Sequence, residues 1–289
     1  MADPVALRSD GLSALIDPLG AELVSLKDAQ GRELMTDADP AFWTGHAPIL
    51  FPIVGRLNGD VLRIDGRDYP MKQHGFARRM VFEVVAHDDS GARFRLTAND
   101  ETRAVYPFDF ALDVAFTLRD ATLAIDVSVH NRGDVPMPAS LGFHPAFAWP
   151  LPYDQRREDH RIAFDGDEPG AIVELDDGLF AATRPSPLDG RLLHLADDLF
   201  ADDALIWDPV RSSGVTYGAT VGPRLRIDFP DTPYLGIWTK PGAAFVCIEP
   251  WHGHADPVGF TGDFHDKPGV FEVAPGAERT CSMQVTLLP

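Results

Sequence analysis

Apolar and polar residues alternate with a period of two along much of the chain. In FDFALDVAFTLRD, residues 108–120, the apolar positions 108, 110, 112, 114, 116 and 118 share one parity, while most polar residues hold the other. The segment ATLAIDVSVHN, residues 121–131, repeats the pattern. Such alternation predicts half-buried strands, and the short Asp120-Ala121 link predicts that these two form a hairpin. The same pattern recurs at 94–96, 225–229 and 281–287.

Glycine and proline mark turns between the predicted strands and do not gather into a linker. No long segment has the helical period, so we expect only short helical pieces, near Pro40 to Trp43 and around Leu199 to Ala204. Residues 150–190 are the most irregular and are predicted to be excursions from the sheets. The chain has no internal repeat of fixed period, which argues against a propeller. The prediction is an all-β fold, a large antiparallel β-sandwich with few short helices, in one domain spanning residues 1–289.

Composition narrows the class of partner. The 289 residues include 25 basic and 44 acidic ones, for a net charge of −19, which opposes binding to nucleic acid or an anionic membrane. The first residues lack a basic segment followed by an apolar one, and no apolar run has the length of a membrane span, so we expect a soluble, cytoplasmic protein. Cys247 and Cys281 lie in apolar stretches and are expected to be reduced core thiols.

One carboxylate stands out at the end of an apolar run. In VCIEPWHGH, residues 246–254, Glu249 follows Ile248 and precedes Trp251, His252 and His254. An isolated glutamate in this position usually marks the exit of a strand into solvent. The adjacent tryptophan and histidines favour a binding site instead, where burial raises a carboxyl pKa toward neutrality and makes the group a useful base.

Three further stretches set polar residues among glycine, proline and aromatics. They contain Arg56 in FPIVGRLNGD, His74 in KQHGFARR and His144 in SLGFHPAFAWP. A lone histidine beside aromatics is usually a core or loop residue. Two of them, together with Glu249 and Arg56, indicate a site.

Five motifs occur in the chain in a fixed order and carry a resemblance. They are GR.NG at 55–59, HGFAR at 74–78, YPFDF at 106–110, LGFHPAF at 141–147 and IEPWHG at 248–253. The chain resembles the aldose 1-epimerases, or galactose mutarotase-like proteins, and within them a bacterial epimerase-like branch. The resemblance implies a β-sandwich of the galactose mutarotase-like supersandwich type. Its concave face would bind a monosaccharide and interconvert the α and β anomers without a cofactor.

The resemblance also implies roles for individual residues. Glu249 matches the family's general base, His144 its general acid, His74 a second histidine near the ring oxygen, and Arg56 an arginine that holds sugar hydroxyls. The family's aspartate on the sugar hydroxyls corresponds to Asp203, with Asp202 as a rival.

Three more residues complete the predicted substrate-binding set: Asn58, Trp251 and Arg78. Trp251, like Phe76 and Phe143, could stack on the C–H face of a sugar, although aromatics in a sandwich more often pack in the core. Mutarotation takes a proton from the anomeric hydroxyl and gives one to the ring oxygen, which favours an acid and a base with pKa values on either side of neutrality.

Other interpretations stay open from the sequence. Histidines 74, 144, 252 and 254 with Glu249 could bind a metal, although no ligand spacing supports this and we predict no metal. Glu249 and Asp203 could be the paired carboxylates of a glycoside hydrolase. The fold could also bind sugar without turnover. Finally, Arg56 with Arg78 or Arg79 could clamp the phosphate of a hexose 6-phosphate. A monomer or a homodimer is expected.

Overall fold

The computed structural model describes residues 3–289, so Met1 and Ala2 of the predicted single domain lie outside the described residues. Strands β1 to β8 are Val5–Arg8, Leu12–Asp17, Glu22–Asp28, Ile49–Leu50, Val61–Ile64, Arg67–Pro70, Glu83–His87 and Gly91–Thr97. Strands β9 to β16 are Phe110–Arg119, Thr122–Asn131, Met137–Ala139, Leu141–Phe143, Ala146–Ala148, Arg161–Phe164, Ala171–Asp176 and Leu179–Pro185. Strands β17 to β24 are Leu192–His194, Leu205–Trp207, Gly214–Gly218, Arg224–Asp228, Tyr234–Trp238, Phe245–His252, Phe271–Val273 and Glu278–Leu288.

Helical structure is confined to short pieces within residues 3–289. The α-helix α1 is Asp100–Arg103, and 3-10 helices are Asn58–Asp60, Ala77–Arg79, Arg157–Asp159, Asp197–Phe200 and Phe264–Asp266. Asn99 begins α1 by accepting a hydrogen bond from the backbone N–H of Thr102, whose side chain bonds back to the N–H of Asn99. None of these helices is long and apolar enough to span a membrane.

Two large antiparallel sheets pack face to face. One has nine strands in the order β17-β14-β19-β20-β24-β10-β9-β8-β7, and the other has the order β16-β15-β18-β21-β22-β12-β4, with β13 also paired to β22. Residues of β9, β10 and β24 share one buried apolar cluster with residues of β18, β21 and β22. The prediction of an antiparallel all-β sandwich is confirmed. The smaller sheets are β1-β2-β3, β5-β6 and β11-β23.

The predicted hairpin at the centre of the nine-stranded sheet is confirmed. Strands β9 and β10 pair from Arg119 opposite Thr122 to Phe110 opposite Asn131, with the two predicted residues as the turn. Every second residue of β10, from Leu123 to Asn131, is buried. The period of two in the sequence therefore corresponds to a sheet that has one face packed on the core.

The predicted local details are less accurate. The stretch from Pro40 to Trp43 forms a turn and no helix, while a 3-10 helix over 197–200 ends at the start of the second predicted helical stretch. The prediction of excursions over 150–190 is wrong for β14, which lies in the nine-stranded sheet, and for β15 and β16, which extend the other sheet. Strand β16 has no buried residue, so its sequence carries no alternating apolar signal.

Candidate active site

Strand β22 is buried on both faces, and its two faces contact different apolar clusters. Val246 and Ile248 point into the core between the two large sheets. Phe245 and Cys247 belong to a separate apolar cluster on the opposite, outer face, and Trp251 belongs to another there. Glu249 has the parity of these outer residues and is only 2% exposed. Alternation along the strand therefore places a buried carboxyl between two apolar clusters on the outer face.

His144 is brought to Glu249 by strand register. Gly142 of β12 pairs with Trp251, and Ala146 of β13 pairs with Cys247, so the same register carried across the gap puts His144 opposite Glu249. The ladder is interrupted there because Pro145 separates the two short strands. The His144 Nε2 atom lies 3.2 Å from the Glu249 Oε2 atom. The predicted acid and the predicted base are thus in direct contact.

Two glycines make room for the indole of Trp251 beside this pair. A Cβ atom on Gly236 of β21 would lie 2.4 Å from the indole, and one on Gly142 would lie 2.7 Å from it. Both distances are far below van der Waals contact, so only glycine fits at either position. The missing side chains create a shallow depression in the sheet, with a flat aromatic surface at its base.

His74 reaches the same site from a loop. Its backbone has φ of +65°, and its N–H donates to the carbonyl of Gly55 while its Nδ1 atom accepts from the N–H of Gly55. Because Nδ1 is an acceptor, the neutral ring carries its proton on Nε2. The next residue, Gly75, also has positive φ, and a Cβ there would meet the Phe51 carbonyl oxygen at 2.1 Å. The His74 and His144 rings lie edge to face at 5.7 Å.

These groups line a cleft of about 380 Å³. Its lining residues are Trp43, Val54, Gly55, Gln73, His74, Arg78, His144, Leu175, Gly178, Phe180, Asp203, Ala204, Ile206, Trp238, Glu249, Trp251 and Ala255. This volume lies in the range of small-molecule sites, about 300 to 1,000 Å³. The cleft therefore combines aromatic walls with a few polar groups, as small-ligand sites do.

Sequence reasoning missed the aromatic residues Trp43 and Trp238. The Trp43 ring stacks on the His144 ring at 4.9 Å and 27°, and Trp238 meets Trp43 edge to face at 5.9 Å. Trp238 could have been found from the sequence, because YLGIW alternates two core residues with Tyr234, Gly236 and Trp238 on the other face. Trp43 lies in an irregular stretch with no such signal.

Burial and charge shift the pKa values of Glu249 and His144 in opposite directions. Burial, and secondarily the charge of Asp203, raises the pKa of Glu249 well above its usual range. The Trp251 indole opposes this shift weakly, since its buried N–H lacks a hydrogen-bond partner in good geometry. Burial lowers the pKa of His144 to about 3, with Arg78 adding to the effect. Both shifts oppose the charged forms, an ionised Glu249 and a protonated His144, because burial favours the neutral form of each group.

His74 and Arg78 follow the same rule. Burial, followed by the charges of His144, Arg78 and Arg79, lowers the pKa of His74 well below its usual value. Burial also lowers the pKa of Arg78 to about 10. The Arg78 guanidinium donates to the Gln73 carbonyl at 3.2 Å, but its buried Nε–H has no partner among residues 3–289. An unsatisfied buried donor in a cleft is suited to a ligand oxygen.

The structure separates the remaining predicted site residues. Asp203 lines the cleft and Asp202 does not. Arg56 lies outside the cleft in an adjoining pocket, and Asn58 is turned away from it, donating to Asp256 and to the carbonyl of Pro257. Arg79 is likewise absent from the cleft lining and donates to the Gly75 carbonyl.

The candidate stacking residues Phe76 and Phe143 pack with the core and do not line the cleft.

The histidines proposed as metal ligands are also dispersed. His252 contacts the Asp231 carbonyl and packs edge to face on Phe271, and His254 stacks on Phe180 at 4.4 Å. Within residues 3–289, the potential metal ligands that cluster are His144, Glu249 and Cys247, with ligand atoms within 4.8 Å of one another. Burial raises the pKa of the Cys247 thiol well above its usual range, which opposes the thiolate that a metal would require.

The cleft sets a buried carboxyl against an imidazole between tryptophan side chains, an arrangement that can perform acid–base chemistry on a small organic ligand. The sequence model for Aldose 1-epimerase matches residues 3–271. The chain therefore belongs to the aldose 1-epimerase family, as the five motifs predicted.

Known relatives agree with this membership. Protein LacX, chromosomal, of Lactococcus lactis subsp. lactis is 32% identical over 296 residues, covering 98% of this chain and 99% of the relative. A galactose mutarotase related enzyme from Lactobacillus acidophilus is 35% identical with a TM-score of 0.93, covering 99% of this chain and 97% of its own. A galactose mutarotase-like protein from Lactobacillus casei is 31% identical with a TM-score of 0.92, covering 99% of this chain and all of its own.

Proposed function

We propose that the protein is an aldose 1-epimerase that interconverts the α and β anomers of a sugar by acid–base ring opening and closure. The observation that carries this proposal is the 3.2 Å contact between His144 Nε2 and Glu249 Oε2 in a cleft of small-ligand size. In this function Glu249 is the base, His144 is the acid, and no cofactor takes part. Two groups this close can both reach the hydroxyl and the ring oxygen of one anomeric centre.

The reaction moves two protons and breaks one bond. Glu249 takes the proton of the anomeric hydroxyl as the bond between the anomeric carbon and the ring oxygen breaks, and His144 gives a proton to that oxygen. The product is the open-chain aldehyde. After rotation about the adjacent carbon–carbon bond, the hydroxyl attacks the other face of the carbonyl, and both protons return. Each positioned proton transfer contributes about 10² to 10⁴-fold to the rate.

The shared proton of the pair explains how a neutral site performs this chemistry. With one proton between them, Glu249 and His144 exist as a neutral pair or as a carboxylate with an imidazolium. Burial favours the neutral form in the empty cleft, as the directions of both pKa shifts indicate. Sugar hydroxyls that donate to the carboxylate favour the ionic form, which is the reactive one. The two groups therefore titrate as a unit.

Neighbouring groups would hold the sugar in register with the pair. His74 carries its proton on Nε2 and would donate to a sugar oxygen. Arg78 has a free buried Nε–H, and Asp203 offers a carboxylate to hydroxyls. The Asp203 backbone has φ of +82°, a costly conformation for a residue other than glycine, and such strain tends to occur at functional sites. The Trp251 indole supplies a stacking surface for the C–H face of the ring.

The test is anomer exchange measured by saturation-transfer NMR at neutral pH on glucose, galactose and glucose 6-phosphate. We expect the wild type to accelerate exchange, and His144→Asn to lose about 10² to 10⁴-fold while keeping the fold. Sugar binding without acceleration by the wild type would instead identify a carbohydrate-binding protein. Wild-type rates in His144→Asn would show that the assigned acid is wrong. A cytoplasmic location and a monomeric or dimeric state stay predictions.

A further inference from the structure

A second compartment adjoins the catalytic cleft. It has a volume of about 500 Å³ and is lined by Arg56, Asp60, Lys72, Gln73, Leu175, Asp177, Gly178 and Asp203. Gln73, Leu175, Gly178 and Asp203 line the catalytic cleft as well. The two spaces are therefore continuous. The cleft alone has the size of a small-ligand site, so the outer compartment provides room beyond the ring that reacts.

Among the described residues 3–289, Arg56 provides the only guanidinium that lines the outer compartment, and it already has partners. Arg56 Nε donates to Asp60 at 3.1 Å, and Arg56 Nη1 lies 2.7 Å from an Asp177 carboxylate oxygen and 3.0 Å from the Asp177 carbonyl oxygen. Asp177 lies in the turn of the β15–β16 hairpin. Arg56 therefore links this hairpin to Asp60, and an anion would have to compete with two carboxylates for the guanidinium.

The remaining groups favour a neutral, hydroxyl-rich ligand. Three carboxylates, Asp60, Asp177 and Asp203, line the compartment against two cations. A phosphate would face these carboxylates with Lys72 as the single unpaired cation. Sugar hydroxyls, in contrast, donate to carboxylates and accept from a lysine and an amide. Asp60 and Asp177 are paired to Arg56 through exposed carboxyl groups that have further lone pairs for such donors.

We propose that the outer compartment binds a second sugar unit attached to the ring that reacts, so that the preferred substrates are reducing disaccharides or longer oligosaccharides. This inference rests on the proposed epimerase function. The attachment must lie at a carbon other than the anomeric one, because ring opening requires a free anomeric hydroxyl. Lys72 and Gln73 donate to the second unit, and Leu175 packs against it.

Lys72 offers a clean test because its side chain makes no hydrogen bond or ion pair within residues 3–289 and lies outside the catalytic cleft. Lys72→Trp fills the outer compartment, and Lys72→Ala removes a donor. Lys27→Trp, the same change at the exposed position of β3, is the matched control. Anomer exchange is measured on glucose and galactose, on maltose, lactose and melibiose, and on glucose 6-phosphate.

For the wild type we expect at least one disaccharide to have a higher kcat/KM than the free monosaccharide that forms its reducing end. Lys72→Trp should lower that kcat/KM by about tenfold or more, the worth of about one good hydrogen bond, while monosaccharide rates stay within about twofold. Lys72→Ala should show a smaller loss of the same kind. The proposal is overturned if no disaccharide is preferred, or if Lys72→Trp affects both classes equally. A loss confined to glucose 6-phosphate would overturn it in favour of a phosphate site.

Binding separates this proposal from the proposed reaction. The tryptophans of the cleft report ligand binding by fluorescence without any turnover. If the wild type accelerates no sugar, the epimerase function fails, yet tighter binding of a disaccharide that Lys72→Trp abolishes still supports the outer subsite. Equal affinity for mono- and disaccharides would reject the subsite whatever the rates are.

Discussion

Each of the two large sheets buries one carboxyl group, and the two groups behave in opposite ways. Asp113 of β9 pairs with Arg95 of β8 through two hydrogen bonds, of 2.6 and 2.5 Å. Burial pushes the pKa of Asp113 up, but these bonds and the charge of Arg95 outweigh it and the pKa is lowered. For Glu249, burial and then the like charge of Asp203 raise the pKa, and the neighbouring side chain is the imidazole of His144 and not a guanidinium. The partner, and not burial alone, decides whether a carboxyl is structural or reactive.

The surroundings of the two groups follow the same division. Beyond Asp113, cross-strand polar pairs cover the outer face of the nine-stranded sheet, such as Ser128 with Thr280 at 2.7 Å and Asp126 with Ser282 at 2.7 Å. On the other sheet, the outer face holds unsatisfied polar atoms, among them His144 Nδ1 and the Trp251 indole nitrogen. The outer face of the nine-stranded sheet has such an atom too, His130 Nε2, which lies 3.6 Å from Asp113, whereas those of the other sheet belong to residues that line the candidate cleft, where a ligand could pair with them.

The largest expected effect separates the two carboxyl groups by function. Glu249→Gln keeps the shape but removes the base, so the rate of anomer exchange should fall by about 10² to 10⁴-fold. Asp113→Asn should leave that rate within about twofold and instead lower the free energy of unfolding by about 1 to 2 kcal/mol, since it weakens the bonds to Arg95. Saturation-transfer NMR and urea denaturation measure the two effects. A large rate loss in Asp113→Asn would remove the distinction.

The second prediction compares glycines of the two sheets. Gly236→Ala drives a methyl group into the Trp251 ring, so we expect a loss of about 1 to 3 kcal/mol in stability together with weaker sugar binding. Gly91→Ala on β8 is the control, because its Cβ would find its nearest atom at 3.4 Å. It should change stability by less than about 1 kcal/mol. Denaturation and fluorescence titration provide the readout, and an unaffected Gly236→Ala would mean that the ring has room to move.

The third prediction assigns acid unfolding to different pH windows. Burial, followed by the charge of Lys267, lowers the pKa of His254 to about 4, so its contribution to stability is full above the unfolded value of 6.5 and is lost as pH falls toward 4. Because the pKa of Asp113 is lowered, its contribution to stability is lost only at pH values below the usual aspartate pKa. His254→Phe should therefore reduce the slope of unfolding free energy against pH by about 1.4 kcal/mol per unit between those two pH values.

Asp113→Asn is the matched variant for the lower window and should leave the slope between pH 6.5 and 4 unchanged. Urea denaturation at a series of pH values makes the measurement. An unchanged slope for His254→Phe in the upper window would show that His254 is protonated in the folded protein.

The smallest expected effect is a displacement of the pH profile of catalysis. The charge of Asp203 helps to raise the pKa of Glu249, and the base must be ionised to work. Asp203→Asn should therefore move the acid limb of anomer exchange to lower pH, whatever it does to the maximal rate. Asp202→Asn, outside the cleft, should leave the limb in place. A shift of the limb to higher pH in Asp203→Asn would contradict the assigned base.

Whether a strand was predictable from the sequence depends on whether one of its faces is buried and the other exposed. Strands β9 and β10 were predictable because one face is apolar and the other polar. Strand β16 was missed because none of its residues is buried, and the local pattern then has no period of two. The roles of Glu249 and His144 were predicted from the family resemblance. The sequence pattern does not show that they are neighbours, because Pro145 interrupts the strand that would pair with β22 at this point.

The cleft walls show the limit more clearly. Trp43 reaches His144 from a turn far along the chain, and no local pattern specifies that contact. Arg56 was predicted to hold sugar hydroxyls, but the structure places it against Asp60 and Asp177 in the adjoining pocket. Asp60 is only four residues from Arg56, but Asp177 reaches it through tertiary folding, which sequence spacing alone does not reveal.

The pairing of β12 and β13 with β22 sets the acid–base distance through backbone hydrogen bonds and not through the loops. Loops around the cleft are consequently free to vary in length and composition without changing the spacing of the reacting groups. A single residue inserted between Gly142 and Ala146, in contrast, would move the imidazole away from the carboxyl. Under the proposed function, the acid–base pair and the loops that would contact the sugar thus lie in separate parts of the chain, so that changes in the loops can alter sugar preference while the pair keeps its spacing.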